Sequence, residues 1–410
     1  MRIFFSVGEP SGDLHGANLI ADLRRSRPDL EAVGFGGPRM QAAGCQLLFD
    51  LTRLAVMGVW QVVQNVRRFF RLLDEADRYF AEHRPDAVVL IDYPGFNWWI
   101  ARRARRHGIP VFYYGVPQMW AWAGWRVGKL KRLVDHALCK LPFEQAWFRQ
   151  RGCPATYVGH PYFDELVRYR PDQTFIDQHR RSGQRLLVLL PGSRTQEVRR
   201  NLPDLLEAAR GVQQQHSDVA VTVACYSPKH ADYVRQTAGS AWRNLAVEAG
   251  RTPELIGMAD ACVACSGSVS LELLYHRKPA VIVYRIGRGT AVLSRWLLKA
   301  PFITLVNLLA AGSVGERDAV RYDPDDRNRS DVPMPEYLTC RPCGARVASW
   351  LNAWFSEPRL LQQRTAQLDA IATGFAEPGA SVRAARFVLQ QLDEKGTPSG
   401  SPKPAARRAA

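Results

Sequence analysis

Two short apolar runs in this chain each end in a glycine-punctuated turn and then pass into a stretch with helical spacing. Ile3-Phe4-Phe5-Ser6-Val7 leads into Gly8-Glu9-Pro10-Ser11-Gly12-Asp13, and Arg185-Leu186-Leu187-Val188-Leu189 leads into Leu190-Pro191-Gly192-Ser193-Arg194. A strand, a glycine turn and a helix, stated twice at the spacing of one domain, describe two mononucleotide-type α/β units. The turn after such a strand gathers backbone N–H groups at a helix N-terminus, where an anion can sit. The expected fold is therefore α/β, with two Rossmann-like domains facing each other across a cleft.

Length and charge agree. At 410 residues the chain exceeds one ordinary core and suits two α/β domains plus a tail. Its 55 Lys and Arg against 39 Asp and Glu leave a net charge of +16, which points to an anionic partner. Arginines scattered through α/β units argue poorly for nucleic acid, and the glycine–aromatic signatures of RNA-binding modules are missing. No run of about eighteen apolar residues offers a membrane span. The chain enters a strand at once, so the expectation is a cytoplasmic protein whose eight cysteines are free thiols. Cys262 and Cys265, like Cys340 and Cys343, have a spacing that can bind zinc. The first pair lies in an apolar run that reads as a buried strand, where residues three apart face opposite ways. Buried apolar cysteines are the expectation, with no metal and no cofactor.

Strand–helix units recur along the chain. Glu31–Gly36, Ala87–Ile91 and Pro110–Tyr114 read as strands of the first domain (1–172). Ala220–Ala224, Ala261–Cys265 and Pro279–Tyr284 read as strands of the second (185–365). Polar residues 170–184 read as the linker between them. Residues 313–334 read as an inserted loop, 366–394 as C-terminal helices that cross back or swap, and 395–410 as a disordered tail. Residues 60–80 place Val62, Val63, Val66, Phe69, Phe70, Leu73 and Phe80 on one helical face with Arg67, Arg68 and Arg71 off it. Such a helix suits an anionic bilayer, or equally an ordinary packed surface helix.

Asp92 stands at the C-terminal end of a continuous apolar strand, where open α/β sheets place ligands. It can serve as a general base or simply as the aspartate of the turn that Pro94-Gly95 suggests. Arg194 begins a helix, where the helix dipole disfavours a cation unless an anion fills the turn. Ser266-Gly267-Ser268 with Glu272 repeats the strand–turn–helix arrangement; those groups can meet phosphate and ribose, or cap the helix. Asp323 and Asp325 share the spacing of some divalent-metal sites but lie in the hydrophilic insertion, where a solvated loop is expected.

Taken in order, these motifs resemble the lipid-A-disaccharide synthases, an inverting glycosyltransferase family. The Gly8–Asp13 turn is similar to the family's GEASGD. It is followed by Gly36-Gly37-Pro38-Arg39-Met40, Ala55-Val56-Met57-Gly58, Ile91–Asn97, Pro117–Trp122, Leu141-Pro142-Phe143-Glu144 and Val158-Gly159-His160-Pro161. Leu189–Arg194 with Glu197, and Ser266–Ser268 with Leu271-Glu272, complete the set. Two places depart from the pattern. Val306 stands before Asn307 where the family has proline, and an insertion separates that segment from Pro335-Glu336-Tyr337-Leu338-Thr339.

The resemblance implies a glycosyltransferase B fold that joins UDP-2,3-diacylglucosamine to 2,3-diacylglucosamine 1-phosphate, releasing UDP. It further implies a homodimer held peripherally on the anionic inner membrane. On this reading Asp92 is the catalytic base, with His15 as the alternative. Gly192, Ser193, Arg194, Ser266, Gly267, Ser268, Glu272, Asn307 and Glu336 hold the UDP donor. Glu9, Ser11, Gly12, Asp13, Asn97 and Gln118 shape the acceptor side. Helix 60–80 and the Arg285–Lys299 stretch, with Leu293, Trp296, Leu297 and Leu298, would face lipid. The competing expectations are another two-domain UDP-sugar enzyme (a glucosaminyltransferase or a 2-epimerase) and a basic, non-catalytic membrane-binding protein.

Overall fold

A computed structural model describes residues 1–396 apart from 56–65, 180–182, 243–244, 292–299, 313–321 and 327–330. Two parallel sheets organise it. The first comprises β1 (Arg2–Val7), β2 (Glu31–Gly36), β3 (Cys45–Asp50), β4 (Ala87–Ile91), β5 (Val111–Tyr114), β6 (His136–Cys139) and β7 (Ala155–Tyr157). The second comprises β8 (Arg185–Leu190), β9 (Val219–Cys225), β10 (Ala246–Ala249), β11 (Ala261–Cys265), β12 (Ala280–Arg285) and β13 (Glu336–Thr339). Their orders are β3-β2-β1-β4-β5-β6-β7 and β10-β9-β8-β11-β12-β13. Each order reverses direction beside the first strand of its sheet, and that switch point is where a doubly wound sheet opens a crevice for ligands.

Central strands are buried on both faces and read as unbroken apolar runs, as β4 (Ala-Val-Val-Leu-Ile) and β11 (Ala-Cys-Val-Ala-Cys) do. The strands that the apolar pattern misses are β3, β6, β7, β10 and β13. They are short or lie toward a sheet edge, and β3 and β10 are only partly buried. Cys262 and Cys265 are buried free thiols in β11, and burial raises the pKa of each to about 12.

The expected linker 170–184 is not simply polar coil. Gln173–His179 is helical, with Phe175 buried beneath the Arg251 guanidinium. Arg251 also pairs with Asp172 at 2.8 Å. An apolar anchor inside a polar run lets this connection pack on the second sheet rather than swing freely. Phe70, expected on a buried stripe, is half exposed on helix Val66–His83, whereas Leu73 and Phe80 are buried. Residues Val62 and Val63, the side chain of Val66, residues 292–299 and most of the insertion lie outside the described residues.

The last helix, Ala380–Gly396, crosses back to the first sheet of its own chain. Its start is fixed by Asp164, whose carboxylate accepts from the N–H groups of Gly379, Ala380 and Ser381. Ala384, Ala385, Val388, Leu389 and Leu392 then join the core beside Ile3, Phe5 and Leu19. Helices Val66–His83, Pro94–Arg106 and Val127–Leu133 cover the opposite face of that sheet. A third apolar cluster fills the far face of the second sheet.

Candidate active site

The site begins where β1 and β4 end side by side, with Val7 opposite Ile91. That register sets Gly8 and Asp92 at the same level. Asp92 and Tyr93 both take left-handed backbone angles, φ 44° and 42°. Two successive non-glycine residues in that region cost on the order of 1–3 kcal/mol each, so the surroundings must hold them. They do: the Asp92 carbonyl accepts from Asn97 Nδ2 at 2.8 Å and from the buried Tyr113 hydroxyl at 2.7 Å. Asn97 is fully buried; its Nδ2 also reaches the Ser6 and Ile91 carbonyls, and its Oδ1 accepts from Ser6 Oγ.

The turn above is shaped by contact. A Cβ on Gly8 would stand 2.3 Å from the Tyr93 ring, and one on Gly12 would meet Val7 at 2.9 Å. Asp13 is buried, and its carboxylate accepts from the backbone N–H groups of Gly37, Arg39 and Met40. These bonds tie the Gly8–Asp13 turn to the Gly36–Met40 segment. His15 is also buried, with Nδ1 3.0 Å from Glu165 Oε1. Glu9, Ser11 and Gln118 are exposed.

Facing Asp92 is a residue that sequence reasoning overlooked. Lys140, just past β6, places Nζ 3.0 Å from Asp92 Oδ1, and both side chains are about four-fifths buried. A lysine at the end of an apolar strand was the available signal. Burial works against its charge, but Asp92, then Glu144 and Glu9, outweigh that and hold the Lys140 pKa above its ordinary value. Glu9 is raised by lost hydration and then by Asp92, against the opposing pull of Lys140 and of Arg194. Arg194, which caps the helix after β8, thus bears on Glu9 from the second half of the chain.

In the second half, Gly192 has φ 129° in the turn between β8 and helix Thr195–Gln215. Glu197 turns back on it, accepting from Ser193 N at 3.3 Å and Arg194 N at 3.1 Å. The amide groups expected to hold an anion are therefore occupied by the chain's own carboxylate. The Arg194 guanidinium, touching Glu197 at 3.2 Å, keeps its side chain 80% exposed. Asn201 was also missed: buried, it links the Pro191 carbonyl to Arg285 N on β12 and fixes the turn.

After β11, Gly267 (φ 156°) and Ser268 are exposed, while Ser266 Oγ reaches the Ile303 carbonyl at 3.3 Å. Glu272 is buried on helix Val269–Tyr275; Oε2 accepts from Tyr162 of the first half at 2.8 Å. Its Oε1 is buried without a hydrogen-bond partner among the described residues. Burial raises the Glu272 pKa, with Tyr162 opposing.

Asp13 and Asn97, expected on the acceptor side, and Asn307 and Glu336, expected on the donor side, are buried and hydrogen-bonded within the chain. Asn307 bonds Met334 through both ends of its amide, and Glu336 accepts from Ile303 N, Thr304 N and Asn307 Nδ2. Burial outweighs those donors and lifts Glu336 to about 7. These residues hold the site's walls in place. Asp325 pairs with Arg346 at 2.7 Å and tethers the insertion to helix Gly344–Ser356 rather than standing free in solvent.

Paired doubly wound sheets, with a carboxylate at one switch point and an exposed arginine at the other, have the architecture of the glycosyltransferase B class. S. aureus MnaA in complex with UDP shares the fold at TM-score 0.62 and 12% identity, over 96% of this chain and 97% of that one. Acinetobacter baumannii MurG shares it at 0.55 and 12%, over 95% and 99%. The model of the lipid-A-disaccharide synthetase family matches residues 3–317, and the chain belongs to that family. A lipid-A-disaccharide synthase of Myxococcus xanthus is 35% identical over 395 residues, 95% of this chain and 97% of that protein. One from Azotobacter vinelandii is 37% identical over 345 residues, 82% and 90%.

Proposed function

We propose that this enzyme transfers the diacylglucosamine unit of UDP-2,3-diacylglucosamine to 2,3-diacylglucosamine 1-phosphate, forming a β-1,6 disaccharide 1-phosphate and UDP. Family membership carries the substrates, and the Asp92–Lys140 pair opposite Arg194 carries the mechanism. Asp92 takes the proton of the acceptor hydroxyl as that oxygen bonds to the anomeric carbon of the donor. The bond from that carbon to the β-phosphate oxygen breaks, and its electron pair leaves with UDP. Arg194, exposed and fixed at one end by Glu197, meets the growing diphosphate charge in fork geometry. Ser266, Gly267 and Ser268 border the same donor side, and the unpartnered Glu272 oxygen can accept a ribose hydroxyl after a side-chain rotation. Glu9, Ser11, Gly12 and Gln118 line the acceptor side. The epimerases and transferases that share the fold at about a tenth identity speak for the architecture alone.

Acylated substrates require contact with a membrane surface, and the same reading places that contact on the first sheet's outer face. Phe70, Trp99, Trp122 and Trp125 are its exposed aromatics, Trp125 being 77% exposed. Arg102 lies over Trp99, and Arg126 lies over both Trp122 and Trp125. The proposed contact is peripheral; among the described residues no helix is long and apolar enough to cross a bilayer. A homodimer belongs to the same proposal.

The test is UDP release from UDP-diacylglucosamine with and without the phosphorylated acceptor. Acceptor-dependent release with a disaccharide product supports the reading; release without acceptor, or epimerised sugar, rejects it. Flotation with phosphatidylglycerol vesicles should fall at least several-fold for Trp122→Ser/Trp125→Ser, whereas unchanged binding would clear this face of the role.

A further inference from the structure

Lys140 reaches Asp92 through a gap that the sheet leaves open for it. The two residues follow β6 and β4, and β5 lies between those strands. At the end of β5 stands Gly115, in the left-handed region at φ 71°. A Cβ there would lie 3.0 Å from both Asp92 Oδ1 and Lys140 Nζ, so a side chain at 115 would press on the ion pair. The lysine's backbone is held as well: Glu144 accepts from the N–H groups of Lys140 and Leu141 and from Trp120 Nε1. With its oxygens so used, Glu144 leaves the ammonium to Asp92. Asp92 Oδ2 has no hydrogen bond among the described residues, and a Cβ on Gly12 of the acceptor-side turn would lie 3.7 Å from it.

We infer that Lys140 is a positioning residue for the transfer. Its ammonium engages Oδ1, fixes the rotation of the carboxylate, and leaves Oδ2 turned to the acceptor hydroxyl. This rests on Asp92 being the base. The proton passes from the hydroxyl to Oδ2, the new C–O bond forms as UDP departs, and Lys140 stays protonated throughout. Every charged neighbour bears on that balance. Glu9 at the start of helix Pro10–Ser26 adds negative charge, as does Glu144 from helix Pro142–Arg149. Arg194 contributes positive charge from across the cleft. His160 after β7 sits near Lys140 and His15, and burial followed by those two drives its pKa far down, so it stays neutral. Tyr113 and Tyr93 are likewise held neutral, chiefly by burial. Lys140 is thus the cation in contact with the base.

The experiment measures kcat and the acceptor KM separately in the wild type, Lys140→Met, Lys140→Gln and Lys140→Arg, with Asp92→Asn as control. Removing the cation lets the carboxylate rotate away from the acceptor hydroxyl, so kcat should fall about 10- to 100-fold for both neutral variants with the acceptor KM nearly unchanged. Arginine should restore kcat close to the wild-type rate. UDP affinity and melting temperature report whether the variants remain folded. If the neutral variants keep the wild-type kcat, or arginine rescues no better than methionine, Lys140 merely fills space and the inference is overturned. An Asp92→Asn enzyme at full rate would instead remove the base assignment, a separate and visible failure.

Discussion

The two glycine turns that look alike in sequence do opposite things in the structure. Around Gly8 and Gly12 the turn closes inward: glycine removes side chains so that Tyr93 and Val7 can approach, and Asp13 is spent on the Gly37–Met40 backbone. Around Gly192 the turn closes on its own Glu197 and projects Arg194 outward, 80% exposed. The first builds the wall of a carboxylate–ammonium pocket; the second presents a charge. The lesson is that a strand–glycine–helix motif fixes a backbone path, whereas the partners of the next few side chains decide whether it encloses or displays.

Asp92→Asn tests the enclosing half hardest. Turnover should fall about 10²- to 10⁴-fold, the usual worth of a general base, with UDP affinity retained. A full-rate variant in the UDP-release assay would transfer the base role elsewhere. Arg194→Ala tests the displaying half: UDP affinity should drop roughly 10- to 100-fold, in keeping with the loss of a charge-assisted hydrogen bond. Because the side chain is so exposed, the melting temperature should stay put; a large drop would mean that Arg194 is structural.

Gly8→Ala should cost about 1–3 kcal/mol by overpacking against Tyr93. Adding Tyr93→Ala should recover part of that loss in denaturant titrations, since the penalty is a contact. Gly267→Ala provides the contrast. Nothing lies within 4 Å of its Cβ, but φ is 156°, so its penalty is conformational and no neighbouring truncation should relieve it.

Glu336 gives an effect of comparable size, read through pH. Burial lifts it from an ordinary glutamate to about 7 in the folded state, so between about pH 4.5 and 7 the native protein keeps a proton that the unfolded chain has released. Stability from this group is therefore present at the acid end and declines as pH rises through that window, by on the order of 2–3 kcal/mol. Glu336→Gln should flatten the slope in urea titrations at pH 5 and 7; an unchanged slope would assign it to other groups.

Much of this was legible in the sequence because it depends on local pattern. Buried parallel strands announce themselves as unbroken apolar runs, as β1, β4, β8 and β11 do. Asp92 was readable because it immediately follows such a run, and Arg194 because it ends the glycine turn after another, at the strand ends where ligands gather. Short strands near the edges, such as three-residue β7, carry too little pattern to be seen.

What only the tertiary structure decided is who meets whom. Asn97 and Asp13 read from the sequence as acceptor-side residues, and only the fold shows their hydrogen bonds running back into the chain. Lys140 becomes part of the chemistry because residues 48 apart converge across a glycine gap. Tyr162 and Glu272 join over 110 residues. Local sequence sets dihedral preference and burial, which act over a few residues. Hydrogen-bond saturation and charge pairing depend on atoms a few ångströms apart in space, and folding alone brings those together.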